Sequence, residues 1–358
     1  MTIFSPKQTS FKQINIAGAG IAGMTAAINL KRSYQDVVVF EKGTTVGSNR
    51  HGDHEGLENW IFEGSMDSFF QDHGFDLSRI DTFPIHTFTV HSSENIPFEV
   101  RSTSPFFYMI QRGAETKHFD QQLYKQCQEA GVEFNFSQKA PDHVEIDSTG
   151  TRRAAAYIKG INFHSSLPDQ VHLLLGSIYA PKGYAYLIIL NGHGTIATAF
   201  KKNNKIKDPL KNTLQFYSQL GFNIPSGTIF GSRGSFSLMK MNFIDRPVRI
   251  GEAGGYQDLL FGFGMRMAMN SGLAAAHLFN GDLDTANKIM KELDRKRKVS
   301  YVNRLLYERL NEGQLLAMAK RFTSTQDPIN ILSNAYEWNF RNIMRWMKQK
   351  GNVEVRTA

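Results

Sequence analysis

Apolar and polar positions change period several times along the chain, and the first changes come early. "INIAGAG" (Ile14–Gly20) opens with small and β-branched residues that read as a buried strand entering glycines. "IAGMTAAINLKRSY" then has helical spacing, with Ala and Leu on one face, and "DVVVFE" is a second buried strand. Strand, glycine turn, helix and strand in that order predict a parallel α/β sheet. A second turn of this kind lies more than 220 residues later: "VRI" enters "GEAGG", and "GMRMAMNSGLAAAHLFNG" follows with helical spacing up to a stop at Asn280–Gly281.

Between the two turns the period is that of strands. "TFPIHTFTVHS", "IPFEVRS", "VHLLLGSIYA" and "TIATAF" read as strands of an antiparallel sheet. In "APKGYAYLIIL", alternation puts Tyr184 and Tyr186 on one strand face. "KKNNKIKDPLKN" is a polar loop and "LKNTLQFYSQLG" a short helix. From 285 onward the spacing is helical, with "KIMKELDRKRKVSYVNRLLYERL" the longest piece and Pro328 a break.

A length of 358 residues accommodates two domains, or one large domain with an insertion. The 27 Phe suggest apolar pockets as well as core. No apolar run approaches the roughly 18 residues of a spanning helix, and the polar start lacks a signal core. A single cysteine, Cys127, excludes an internal disulfide and a cysteine zinc site, which fits a cytoplasmic location. Residues 285–358 hold 15 Lys and Arg against 7 Asp and Glu, the whole net charge of +8. A segment like this can meet anionic membrane peripherally, and no nucleic-acid partner is expected.

The first turn has the glycines of a dinucleotide fold. Gly18 makes the tight turn, Gly20 admits a pyrophosphate, and Gly23 lets the helix pack on the strand. The helix start at Ile21 and Ala22 then faces the phosphates. Glu41, at the end of the second strand, is placed to accept both ribose hydroxyls and to repel a 2′-phosphate. This turn alone does not separate NAD from FAD.

The second turn resembles a known family. Gly251-Glu252, Ala253, Gly255, Gly262, Gly264, Met265 and Arg266 are similar to the long glycine motif of FAD-dependent oxidoreductases in the geranylgeranyl-reductase-like branch of the p-hydroxybenzoate-hydroxylase-like flavoproteins. Glu252 stands where the family has Asp, and Leu259 where it has Pro. The resemblance implies FAD as cofactor, with adenosine diphosphate on the first turn and the ribityl and flavin end on Gly251, Glu252, Gly262, Gly264 and Met265. It extends to Lys42, Gly47 and Arg50 in the loop beneath the flavin, and to Arg112 on the pyrophosphate. His51, Asp53, His54 and Glu55 lie on one loop without metal-site spacing, so no metal is expected. The branch's Pro-x-x-Tyr substrate-sheet motif is matched in part by Pro181 and Tyr184, with Tyr186 in the place of Trp. Tyr184 and Tyr186 are therefore the expected substrate contacts, and no catalytic residue is assigned.

The expected architecture is an α/β, Rossmann-like FAD domain in three pieces (1–80, 105–162 and 228–284). An antiparallel sheet domain (81–104 and 163–227) and a basic helical segment (285–358) complete it. The expected activity is reduction of carbon–carbon double bonds in an apolar, isoprenoid-like substrate by hydride from the flavin. NAD(P)H or a reduced carrier would supply the electrons. Oxygenation of an aromatic or apolar compound, or FAD binding without catalysis, are the alternatives.

Overall fold

The computed structural model describes residues 13–33, 35–92, 96–151, 156–202, 205–234, 238, 243, 245–325 and 327–349. Residues 1–12 of the expected first domain and 350–358 of the expected basic segment lie outside them.

Five strands make a fully parallel sheet in the order β15-β9-β1-β2-β8. They are β1 (Ile14–Ala17), β2 (Val37–Phe40), β8 (Glu133–Asn135), β9 (Ile146–Asp147) and β15 (Val248–Arg249). Ile16, Val37 and Val39 are wholly buried, as expected where helices cover both faces of a parallel sheet. Helix α1 (Ile21–Arg32) leaves the first glycine turn and α5 (Met265–Phe279) the second. The two pack tightly, because a Cβ on Gly272 of α5 would stand 2.4 Å from the Ala22 carbonyl oxygen of α1. Helix α3 (Phe119–Glu129) adds Phe119, Leu123 and Cys127 to the same core.

A seven-stranded sheet follows the order β14-β10-β13-β12-β11-β5-β6. Its strands are β5 (Thr87–Ser92), β6 (Phe98–Arg101), β10 (Ala156–His164), β11 (Gln170–Leu175), β12 (Tyr184–Leu190), β13 (His193–Phe200) and β14 (Thr228–Gly234). Only the β11–β5 pair is parallel. Helix α4 (Pro209–Gln219) packs on this sheet through Tyr217. A third sheet, β3 (His54–Glu58), β7 (Phe107–Gln111) and β4 (Phe83–Ile85), joins the other two, and α2 (Met66–Asp72) follows β3.

These pairings correct three sequence expectations. The domain boundaries at 162 and 228 split strands that belong together: β10 pairs along its length with β13 and β14, so residues 156–164 and 228–234 lie in the seven-stranded sheet. Residues 83–85 pair with β7 and leave that sheet. His54 and Glu55 lie on a strand, where successive side chains face opposite ways, rather than on a loop.

The C-terminal helices are α6 (Leu283–Tyr307), α7 (Glu312–Lys320), α8 (Pro328–Tyr336) and α9 (Phe340–Gln349). Pro328 opens α8 at its first turn, where its missing N–H costs nothing, and Asp327 caps the Asn330 N–H. Helix α6 reaches the seven-stranded sheet through Arg304, which donates to the Lys182 carbonyl at 2.7 Å, and Tyr307, which donates to the Gly183 carbonyl at 2.8 Å. Among the described residues no helix is long and apolar enough to cross a membrane.

Candidate functional site

Gly18 has φ +95°, a left-handed conformation, and a Cβ there would lie 2.7 Å from the Ser148 carbonyl oxygen. A Cβ on Gly23 would lie 2.2 Å from the Gly18 carbonyl oxygen, whereas one on Gly20 would meet nothing nearer than 3.9 Å. The turn therefore needs glycine at 18 and 23 for its own shape, and at 20 it presents bare backbone to open space. No side chain caps Gly20, so the first amides of α1, at Ile21 and Ala22, are left for another acceptor.

Glu41 shapes the same corner. One carboxylate oxygen accepts from the Ala19 N–H at 2.9 Å and the other from the Gly43 N–H at 2.7 Å. Each oxygen keeps a further lone pair for a ligand hydroxyl. Lys42 is exposed beside it.

The second turn comes directly onto the first. Gly251, at φ +57°, would place a Cβ 2.9 Å from the Ala22 Cβ of α1, and its N–H donates to Ser271 Oγ at 2.8 Å. Glu252 follows, with a carboxylate oxygen 3.8 Å from where a Gly150 Cβ would lie. Gly262 has φ +89°, and Gly264 starts α5 without a side-chain cap. Five other helices, α2, α4, α6, α7 and α8, are capped by Ser65, Asp208, Asp282, Asn311 and Asp327. The two helices that open at the glycine turns are not, and neither is α3.

Asp258, fully buried, holds the loop between these glycines. It accepts from Leu260 N–H at 3.1 Å, Phe261 N–H at 2.9 Å, Tyr336 OH at 2.8 Å and Ser300 Oγ. Ser300 Oγ in turn accepts from Leu259 N–H at 2.6 Å, and Arg304 donates to the Leu260 carbonyl at 3.1 Å. Burial pushes the Asp258 carboxyl up, and these hydrogen bonds work against that rise. Leu259, one of the two positions where the sequence departs from the motif it resembles, is thus held by the C-terminal helices.

Arg112 is buried, and its guanidinium is already engaged. Nε and Nη2 donate to the two Asp120 oxygens at 2.8 Å each, and Nη1 donates to Glu55 at 3.0 Å. Burial works against the Asp120 charge, but Arg112 beside it holds the carboxyl below the usual range. Arg50 reaches the same Glu55 at 3.3 Å. Gly47, at φ +74°, packs its backbone against this cluster, since a Cβ there would stand 2.3 Å from the Gly113 carbonyl oxygen. Met265 and Arg266 begin α5, and Arg266 turns away into the core. It donates to the Glu58 carbonyl at 3.0 Å and lies over the Phe69 ring at 4.3 Å.

Both turns open into one cavity of about 1000 Å³. Gly18, Gly20, Ile21, Ala22, Glu41, Lys42, Gly47, Arg50, Arg112, Gly251, Glu252, Gly262, Gly264 and Met265 all line it, while Gly23 is buried behind the turn. The rest of its wall is largely apolar and aromatic. Tyr184 and Tyr186 stand in it together, with ring centroids 6.2 Å apart, and Tyr184 OH donates to the Phe261 carbonyl at 2.6 Å. Burial raises both phenols above their ordinary range, so they stay neutral hydrogen-bonding groups at neutral pH.

The profile of the NAD(P)-binding Rossmann-like domain family matches residues 16–78. A geranylgeranyl bacteriochlorophyll reductase-like protein of Thermoplasma acidophilum superposes with a TM-score of 0.67, 18% identity, and coverage of 96% of this chain and 97% of that one. The fold is shared with flavoproteins. A flavoprotein/dehydrogenase of Cytophaga hutchinsonii gives 0.60 at 12% identity, covering 96% of each chain. The myxobacterial chondrochloren halogenase CndH, a variant of the FAD-dependent halogenases, gives 0.56 at 13%, covering 93% of this chain and 95% of its own. No curated protein sequence matches the chain.

Against this flavoprotein fold, sequence reasoning missed two parts of the cavity wall. Leu315, Met318, Ala319, Phe322 and Leu332 of the C-terminal helices and the turn between them are part of its apolar lining. The signal was the helical spacing of 315, 318, 319 and 322, which any packed helix also shows. Asp53 was read only against a metal. It lines the cavity with its carboxyl pushed up to about 6 by burial and by Glu55. His54, buried next to it, is driven down to about 3 by burial and by His193 and His118, and stays neutral. Among the described residues no cluster suits a metal ion.

Glu58, wholly buried below the second turn, gives a pH dependence. Burial raises its carboxyl from 4.5 to about 7, against the pull of Arg266. The folded state then holds a proton that the unfolded state has released, so this group's stability falls as pH rises from about 4.5 to about 7 and is level above. Glu58→Gln should remove that slope, worth on the order of 3 kcal/mol. Urea midpoints at both ends of the window should lie closer together in the variant than in the wild type.

Proposed function

We propose that this protein is an FAD-dependent oxidoreductase that reduces carbon–carbon double bonds of an apolar, isoprenoid-like substrate. The observation that carries the reading is the single cavity. Two helix starts without side-chain caps, 244 residues apart in sequence, both open into it, and aromatic side chains line the rest of its wall. Its volume of about 1000 Å³ is at the top of the about 300–1,000 Å³ range of small-molecule sites. A dinucleotide long enough to touch both turns fits the donors present. The α1 amides and the bare backbone at Gly20 suit the pyrophosphate, Glu41 the adenosine ribose, Glu252 the ribityl chain, and the α5 amides the flavin oxygen.

FAD, once reduced, supplies a hydride, and the protein's part is to orient both reactants and exclude water. Arg112 holds Asp120 and Glu55 in place, which keeps the floor around Gly47 and Arg50 rigid. Tyr184 is fixed by Phe261, leaving the Tyr186 ring beside the substrate. Hydride on one carbon of the double bond requires a proton on the other, and the Asp53 carboxyl, lifted to about 6 by burial and by Glu55, is the acid of the cavity lining that would supply it. Electrons come from a reduced nicotinamide or another reduced carrier.

Oxygenation of an apolar compound is the second reading, favoured by the same water-poor aromatic wall. The two separate in one experiment. Enzyme carrying reduced flavin should reoxidise faster with an isoprenoid olefin than without it under strict anaerobiosis. Tyr186→Ala should slow that step more than it weakens FAD. Reoxidation by oxygen alone with a hydroxylated product, and none by olefin, contradicts the reductase reading.

A further inference from the structure

Helix α9 has an inner and an outer face. On the inner side Asn342 is buried and donates to the Glu337 carbonyl at 2.7 Å, and Trp346 lies under the Lys298 ammonium of α6 at 5.6 Å. On the outer side Phe340, Met344 and Met347 are 79%, 40% and 62% exposed. Spaced four and three residues apart, they form one stripe along a helix. Arg341 and Lys348, both exposed, are seven residues apart and run along one edge of that stripe. Three large apolar side chains held out on one helix mark a contact surface rather than scattered exposure.

We propose that α9 lies in the plane of an anionic lipid surface, with Phe340, Met344 and Met347 in the acyl boundary and Arg341 and Lys348 among the headgroups. Charge selects this occupant. Helix α9 itself carries Arg341, Arg345 and Lys348 and no acidic residue, within a segment whose net charge of +8 is the whole excess of the protein. A second copy meeting the same face would bring like charge against like, whereas anionic headgroups neutralise it. The inference does not depend on the flavin reading, although α7 and α8 of the same helical segment also line the cavity.

The test uses the full chain with vesicles of phosphatidylcholine alone or mixed with phosphatidylserine. The wild type should sediment with the mixed vesicles only, and added salt should release it. Met344→Ser/Met347→Ser should weaken partition at least about tenfold. Arg341→Glu/Lys348→Glu should weaken it by at least about twenty-five-fold, from about fivefold for each basic residue. Because Cys127 is buried, Met344→Cys takes an environment-sensitive dye selectively, and its emission should shift to the blue on the mixed vesicles. Circular dichroism and flavin content, read on the same samples, separate loss of docking from loss of fold or cofactor. The proposal is overturned if the wild type ignores anionic vesicles, or if the Met pair is replaced without effect. It is also overturned if the dye stays in water while protein sediments, or if the Met pair governs dimerisation in the absence of lipid.

Discussion

Gly23→Ala is expected to leave the seven-stranded sheet and the C-terminal helices folded while weakening FAD binding about five- to a hundredfold. The added methyl would sit 2.2 Å from the Gly18 carbonyl oxygen and 3.2 Å from Ser148 Oγ. The first is backbone and cannot swing away, so the turn itself must shift or α1 must back off its strand. Overpacking of this kind costs about 1–3 kcal/mol. If the strain falls on the turn that cradles the cofactor, affinity drops about five- to a hundredfold or more. Gly20→Ala is the control. Its Cβ meets no protein atom within 3.9 Å, so fold stability should hold and only the approach of the phosphates should suffer. Flavin titration with thermal unfolding separates the two variants. Equal FAD affinity in Gly23→Ala and wild type removes the first turn from the site.

Asp258→Ala should cost more stability, about 3–5 kcal/mol. It leaves the Phe261 amide, Ser300 Oγ and Tyr336 OH without their shared acceptor at a fully buried position, and the Leu260 amide with Ser300 Oγ alone. Unsatisfied buried donors cost about 1–3 kcal/mol each, partly relieved by relaxation. Because this carboxylate joins the second glycine loop to α6 and α8, the damage should be shared. FAD affinity and the protease resistance of α8 and α9 should fall together. Asp258→Asn keeps an acceptor and should lose much less. Wild-type FAD affinity in a folded Asp258→Ala protein would show that the C-terminal helices do not set the second turn.

The parts legible in the sequence were those with a local cause. A glycine turn between a buried strand and a small-residue helix writes its own pattern, so both turns, Glu41 and the starts of α1 and α5 were placed from spacing alone. Pairing between distant strands has no such local signature. For this reason β10 and β14 were assigned to the wrong side of a domain boundary, and His54 and Glu55 were read as loop. The Asp258 network was invisible for the same reason. Its members are 42 and 78 residues apart, and a lone Asp in "GYQDLLFG" looks like a turn residue. Arg112 shows the converse. The resemblance placed it near the cofactor, but only the structure shows Asp120 and Glu55 occupying its guanidinium. The basic excess of the last helices was plain from composition, and the apolar stripe of α9 needed the fold to show which face stays outside.

One FAD should lie across both glycine turns. The most direct measurement is the flavin released by denaturing protein purified at low salt and, where little is found, protein incubated with added FAD and freed of excess. The account predicts FAD rather than FMN or NAD, at about one per chain, with the characteristic oxidised-flavin absorbance in the folded state. A protein with full secondary structure that neither retains FAD nor takes it up would contradict it.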